Sequence, residues 1–108
     1  MSRVLLLTAR DPLAASDAAH PARLARQLAA AGHDVALVLL EDAVAAARTG
    51  HAWSDAVVAA QAAGVVVGAE GEALARRGVS RLVDGVKAHD MGAIVELLMN
   101  WSERRAWL

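Results

Sequence analysis

The sequence contains no cysteine, phenylalanine or tyrosine, and only two prolines. The missing thiol excludes disulfides, thiolate nucleophiles, iron–sulfur clusters and cysteine-ligated zinc, and it leaves no sulfur able to carry a persulfide. Neither sign of charge dominates. The 11 basic and 12 acidic side chains give a formal charge of −1, too balanced for an electrostatic footprint on nucleic acid or anionic lipid. No apolar run approaches the roughly 18 residues of a membrane span. Near the start only residues 4–7 are continuously apolar, short of the roughly seven residues of a secretory core. The expectation is a cytoplasmic protein that binds neither membrane nor nucleic acid.

What is present is a chain of 108 residues, a length that suits one domain spanning 1–108. The 56% apolar content is inflated by alanine, which fills a quarter of the positions; the larger apolar residues that remain make an ordinary core. Apolar runs alternate with helical stretches. Residues 4–7 have the length and continuity of a strand covered on both faces. Residues 9–17 read as a loop, and a helix follows to Ala31, capped at its start by Asp17 or opened by Pro21. Gly32 fits the left-handed position that ends it. Residues 35–40 form the second strand, 43–48 a short helix and 53–63 another helix. The β-branched run 65–67 is the third strand, and Gly68-Ala69-Glu70-Gly71 is a turn opening a helix that ends at Arg76-Arg77-Gly78. Residues 82–87 give a weak fourth strand. Asp90 caps a helix whose Met91, Ile94, Val95, Leu98 and Met99 recur at helical spacing, and residues 104–108 supply a terminal fifth strand. Such alternation predicts a small, doubly wound, mostly parallel α/β sheet of about five strands with helices on both faces.

Ligands of open α/β sheets bind outside the carboxyl ends of the strands, where strand order reverses. On this assignment that edge collects Thr8, Arg10, Asp11, Glu41, Asp42, Gly68, Glu70, Gly71 and His89 as a candidate crevice for a ligand or partner. Gly68 to Gly71 resembles an anion cradle but lacks the lysine and spacing of a phosphate loop. The four histidines (His20, His33, His51 and His89) are not spaced as metal ligands on a helix, and no serine sits in a G-x-S-x-G elbow. No catalytic residue, metal or cofactor is therefore assigned. The entire aromatic content is Trp53, Trp101 and Trp107, a residue type enriched at interfaces, and these three are the interface candidates.

The order of these pieces resembles the DsrE/DsrF-like sulfur-relay family. The residues carrying the likeness are Val4-Leu5-Leu6-Leu7-Thr8, Leu28-Ala29-Ala30-Ala31-Gly32-His33-Asp34-Val35, Leu40-Glu41-Asp42-Ala43-Val44, Ala63-Gly64-Val65-Val66-Val67 and Arg76-Arg77-Gly78-Val79, followed by the late amphipathic helix and terminal strand. The resemblance covers nearly the whole chain. It implies a cysteine just after the third strand, sometimes followed by a second three residues on, that passes persulfide sulfur between proteins. Counted back from Arg77-Gly78, those positions here hold Glu70 and Ala73, so the chain looks like a cysteine-less member. The expected function is a non-catalytic subunit or interaction module in a homo- or hetero-oligomer, a trimer or hexamer, with cysteine-bearing relay proteins as partners. The alternative is a small-molecule-binding or enzymatic domain using the crevice.

Overall fold

A computed structural model describes residues 1–11 and 20–108 of the chain. The strands β1 (Arg3–Thr8), β2 (Asp34–Leu39), β3 (Val66–Glu70), β4 (Lys87–His89) and β5 (Arg104–Trp107) form one sheet in the order β4-β3-β2-β1-β5, and every pairing is parallel. Between them run α1 (His20–Ala30), a 3-10 helix (Glu41–Ala47), α2 (Ser54–Ala62), α3 (Gly71–Arg76) and α4 (Met91–Glu96), which continues as a π-helical stretch, Leu97–Trp101. The α/β architecture anticipated from the alternation is the observed one. The expected cap Asp17 and most of the expected loop 9–17 lie outside the described residues; α1 is described from His20, with Pro21 in its first turn, where the missing N–H costs nothing.

Strand parity divides the core in two. Val4 and Leu6 of β1 and Val35, Leu37 and Leu39 of β2 face a large cluster closed by Ala22, Ala25, Val44, Val57, Ala60 and Leu74. The many alanines do their packing here, letting α1, α2 and the 3-10 helix lie close against the sheet. Leu5, Leu7, Ala36, Val38 and Leu40 face the other way and meet α4 through Ile94, with Leu97, Leu98 and Trp101 alongside. One helix of about 10 Å diameter spans roughly two strands at about 4.8 Å spacing. Consequently α4 covers β1 and β2 and leaves the start of β3 uncovered on that face: Val66 is 50% exposed, whereas Val67, its neighbour on the opposite face, is fully buried.

Three expectations need correction. The third strand does not stop at Val67; Gly68, Ala69 and Glu70 continue it, because β2 and β4 both hold this segment in register (Ala69 opposite Leu39 and Ala88). The anion cradle is thereby removed, and Gly68 is a strand residue. The fourth strand is not 82–87. Leu82 makes an isolated antiparallel bridge to Arg48, Val83 donates to the Ala47 carbonyl at 2.8 Å, and the turn at Asp84-Gly85, with Gly85 at φ +90°, delays pairing with β3 until Lys87. The helical spacing of Met91, Ile94, Val95, Leu98 and Met99 does not mark a single buried stripe. The sheet takes Ile94, Leu97, Leu98 and Trp101, and Met91, Val95 and Met99 are 55%, 47% and 75% exposed. Asp90 caps α4 as expected, its carboxylate accepting the Ala93 N–H at 2.7 Å.

Candidate functional site

All nine crevice candidates except Gly68 stand at the carboxyl edge of the sheet or on the loops leaving it, yet the structure does not bring them into one cavity. Thr8, which is buried, and Arg10 line an apolar cleft with Pro21, Leu39, Ala43 and Trp53, between α1, α2 and the 3-10 helix. Arg10 also borders a second hollow with His20 and Trp107, at the β1–β5 junction where the strand order reverses. Asp11 and Asp42 face a polar cavity with Arg48, His51 and Arg77. Glu70, Gly71 and His89 line a fourth with Glu72, Asp90 and Met91. Gly68 contributes to none of these concavities. The His89 ring lies over it so closely that a Cβ there would come within 2.3 Å of Cδ2, and this close approach is the reason for a glycine in mid-strand.

Glu41 and Asp42 are not merely solvated carboxylates at a helix start. They pair across to the end of α3, Glu41 with Arg76 at 3.3 Å and Asp42 with Arg77. These pairs are largely exposed and are worth little individually, but they fix the 3-10 helix against α3. Glu41 adopts φ +47°, a left-handed conformation unfavourable for a residue with a Cβ. What holds it there is Glu70: buried, at the end of β3, it accepts the Glu41 N–H on Oε1 at 3.1 Å. Replacing Glu70 with alanine leaves that N–H without its acceptor, and a loss of about 1–3 kcal/mol is expected in a urea melt. Glu70→Gln keeps an acceptor oxygen and should lose less than half of that. Equal losses for the two variants would show that the hydrogen bond is not what Glu70 contributes.

His51 was not singled out by sequence, since a lone histidine carries no spacing signal. It is 7% exposed; its Nδ1 accepts the Trp53 N–H at 3.1 Å, and its carbonyl accepts from Ser54 N and Oγ at 3.0 and 2.8 Å. Burial first, and the Arg48 charge second, hold its pKa below the ordinary 6.5, against a smaller opposing pull from Asp11. Below that ordinary value the unfolded chain takes a proton that the folded ring resists. The stabilisation from His51 is therefore complete above pH 6.5 and is lost as pH falls beneath it. Thermal melts across this range should show stability declining with acidity, and His51→Asn should flatten the decline. An unchanged slope in that variant would assign the acid sensitivity elsewhere.

The tryptophans separate. Trp53 lines the apolar cleft, and Trp101 packs on the smaller core cluster. Trp107, on edge strand β5, is 66% exposed and is the one of the three that presents most of its ring to solvent. His33 sits at the opposite, amino-terminal edge, where its Nδ1 accepts the Ser2 N–H at 3.1 Å. Among the described residues no group of three or more His, Asp, Glu or Cys side chains is placed to hold a metal ion, and no helix is long and apolar enough to cross a membrane.

Comparison with known proteins places this architecture. The ychN protein of E. coli superposes with a TM-score of 0.90 at 19% identity, over 100% of both chains. A protein of unknown function from Methanobacterium thermoautotrophicum gives 0.82 at 21% identity, covering 98% of this chain and 100% of that one. Another, from Bacteroides thetaiotaomicron, gives 0.81 at 16% identity, covering 99% and 95%. At such identities the likeness is one of fold. No curated protein matches the sequence. The family pattern described as DsrH like protein matches residues 17–103. With that match across most of its length, the chain belongs to the DsrH-like family of sulfur-relay proteins.

Proposed function

We propose that this chain is a non-catalytic subunit of a sulfur-relay assembly, one folded domain over residues 1–108 that works in the cytoplasm by binding partner chains. The observation that carries the reading is the absence of cysteine from a member of such a family. Sulfane sulfur is carried on a thiolate, and no other side chain here replaces it. Glu70, at the position where the resemblance puts the family's cysteine, is engaged by the Glu41 N–H. The thiol chemistry then belongs to cysteine-bearing partners. Support for assembly comes from the exposed Met91 and Val95 of α4, Met99 of the π-helical stretch that continues it, and the uncovered Val66 of β3. Apolar side chains grouped in this way on a small protein mark contact surfaces. Trp107 adds an exposed ring on an edge strand, whose free backbone groups a neighbour would also cover.

Native mass spectrometry of the untagged protein at micromolar concentration tests the reading. A homotrimer or homohexamer is expected, or a mixed assembly when a cysteine-bearing relative is added; a chain that stays monomeric under both conditions overturns it. The cleft bordered by Thr8, Arg10 and Trp53 favours one alternative, a domain that binds a small molecule with an apolar body. A discrete extra mass on the native protein, lost on denaturation, would support that alternative.

A further inference from the structure

We propose that the polar cavity between the 3-10 helix, the 48–51 segment and the end of α3 binds a small, singly charged oxyanion through the His51 Nε2–H and the Arg48 guanidinium. Because Nδ1 of His51 accepts the Trp53 N–H, the neutral ring must carry its proton on Nε2. That Nε2 is buried and has no hydrogen-bond partner among the described residues. A donor removed from water and left unpaired is costly, and native proteins seldom tolerate one without a reason. The Trp53 N–H holds the ring through Nδ1, and Ser54 Oγ fixes the main chain beneath it by donating to the His51 carbonyl, so turning Nε2 away would cost the ring its bond to Trp53.

The wall that His51 shares supplies the complementary charge. The cavity measures about 310 Å³ and is lined by Asp11, Asp42, Arg48, His51 and Arg77 among others. Arg77 is occupied by Asp42, and Asp11 has an interaction of its own. The Arg48 side chain has no ion pair or hydrogen bond among the described residues. A buried N–H and an unmatched guanidinium in the lining of one cavity both call for an acceptor that carries negative charge. Asp11 and Asp42 in the same lining oppose accumulation of further negative charge, which favours a carboxylate-like monoanion over a sulfate-like dianion. The volume lies at the lower end of the roughly 300–1,000 Å³ of small-molecule pockets, and it suits a compact anion rather than a nucleotide.

The test is a titration of the full chain with sodium acetate, and separately with sulfate, at constant ionic strength with chloride as control, followed through the ring ¹⁵N and ¹H resonances of His51. Acetate is expected to shift Nε2–H saturably in the millimolar range or below, with sulfate weaker. Arg48→Gln should weaken acetate binding by about tenfold or more without changing the melt, because Arg48 is exposed. In His51→Asn the amide oxygen takes over the acceptor role of Nδ1 while no donor remains at Nε2, and binding should be lost. If His51→Asn fails to fold, Arg48→Gln decides alone. A shift no larger than that in chloride, the signature of a buried water only, overturns the proposal. Unchanged affinity in Arg48→Gln, or tighter binding of sulfate than of acetate, would do so as well.

Discussion

Replacement of Ile94 by alanine is expected to cost about 2–5 kcal/mol, as large a loss as a single truncation in this chain should give. Ile94 is 2% exposed and is the fully buried residue that α4 contributes to the cluster of Leu5, Leu7, Ala36, Val38 and Leu40. The opposite face of the sheet is closed by α1, α2, α3 and the 3-10 helix, so a cavity there has several elements that can settle into it. On the α4 face there is one helix. Leu97, Leu98 and Trp101 are only partly buried, and they cannot refill the space without pulling the π-helical stretch off β1. At about 4–8 °C per kcal/mol for a domain near this size, the melting temperature should fall by roughly 10 °C or more. A loss under about 1 kcal/mol would mean that α4 is held by its cap and flanking strands rather than by Ile94.

The adjacent residue should behave in the opposite way. Val95→Asp combined with Met99→Asp is expected to leave the folded chain nearly as stable as before, since both side chains already face water, and to dissociate the assembly. A carboxylate enclosed in an apolar interface without a partner costs about 3–5 kcal/mol, which corresponds to a weakening of more than about a hundredfold. Analytical ultracentrifugation of the double variant should then report monomers where the parent protein associates. An unchanged sedimentation profile would clear the α4 row of any part in assembly and shift attention to Trp107 and the β5 edge. Ile94 and Val95, neighbours in sequence, are thus expected to differ sharply, truncation of the first lowering stability and a charge at the second lowering association.

Several features were legible because they are local. Asp90 before an apolar helical pattern is a cap on sequence grounds, and it caps. Gly32 ends α1 at φ +98°, a conformation that disfavours any residue with a Cβ. Continuous apolar runs such as Val4-Leu5-Leu6-Leu7 can be strands buried on both faces only if helices cover both, and that requirement implies the α/β architecture. What misled was equally local. Glycine, alanine and glutamate at 68–70 carry the composition of a turn, but hydrogen bonds from two neighbouring strands outweigh intrinsic propensity there.

Composition alone decided that this chain cannot carry sulfur on a thiol, and the period and order of its apolar residues decided a parallel sheet between helices. The choice of which half of the Met91-to-Trp101 helix meets the sheet was tertiary, because a helix touches a flat surface with a fraction of its circumference and five strands are wider than one helix. The division of the carboxyl edge into separate cavities was also tertiary. It depends on Glu41 and Asp42 reaching Arg76 and Arg77 across 35 residues of sequence, and on a buried His51 whose unpaired nitrogen no spacing rule announces. Local chemistry is written along the chain; which polar groups end up facing one another is fixed only when the strands have found their order.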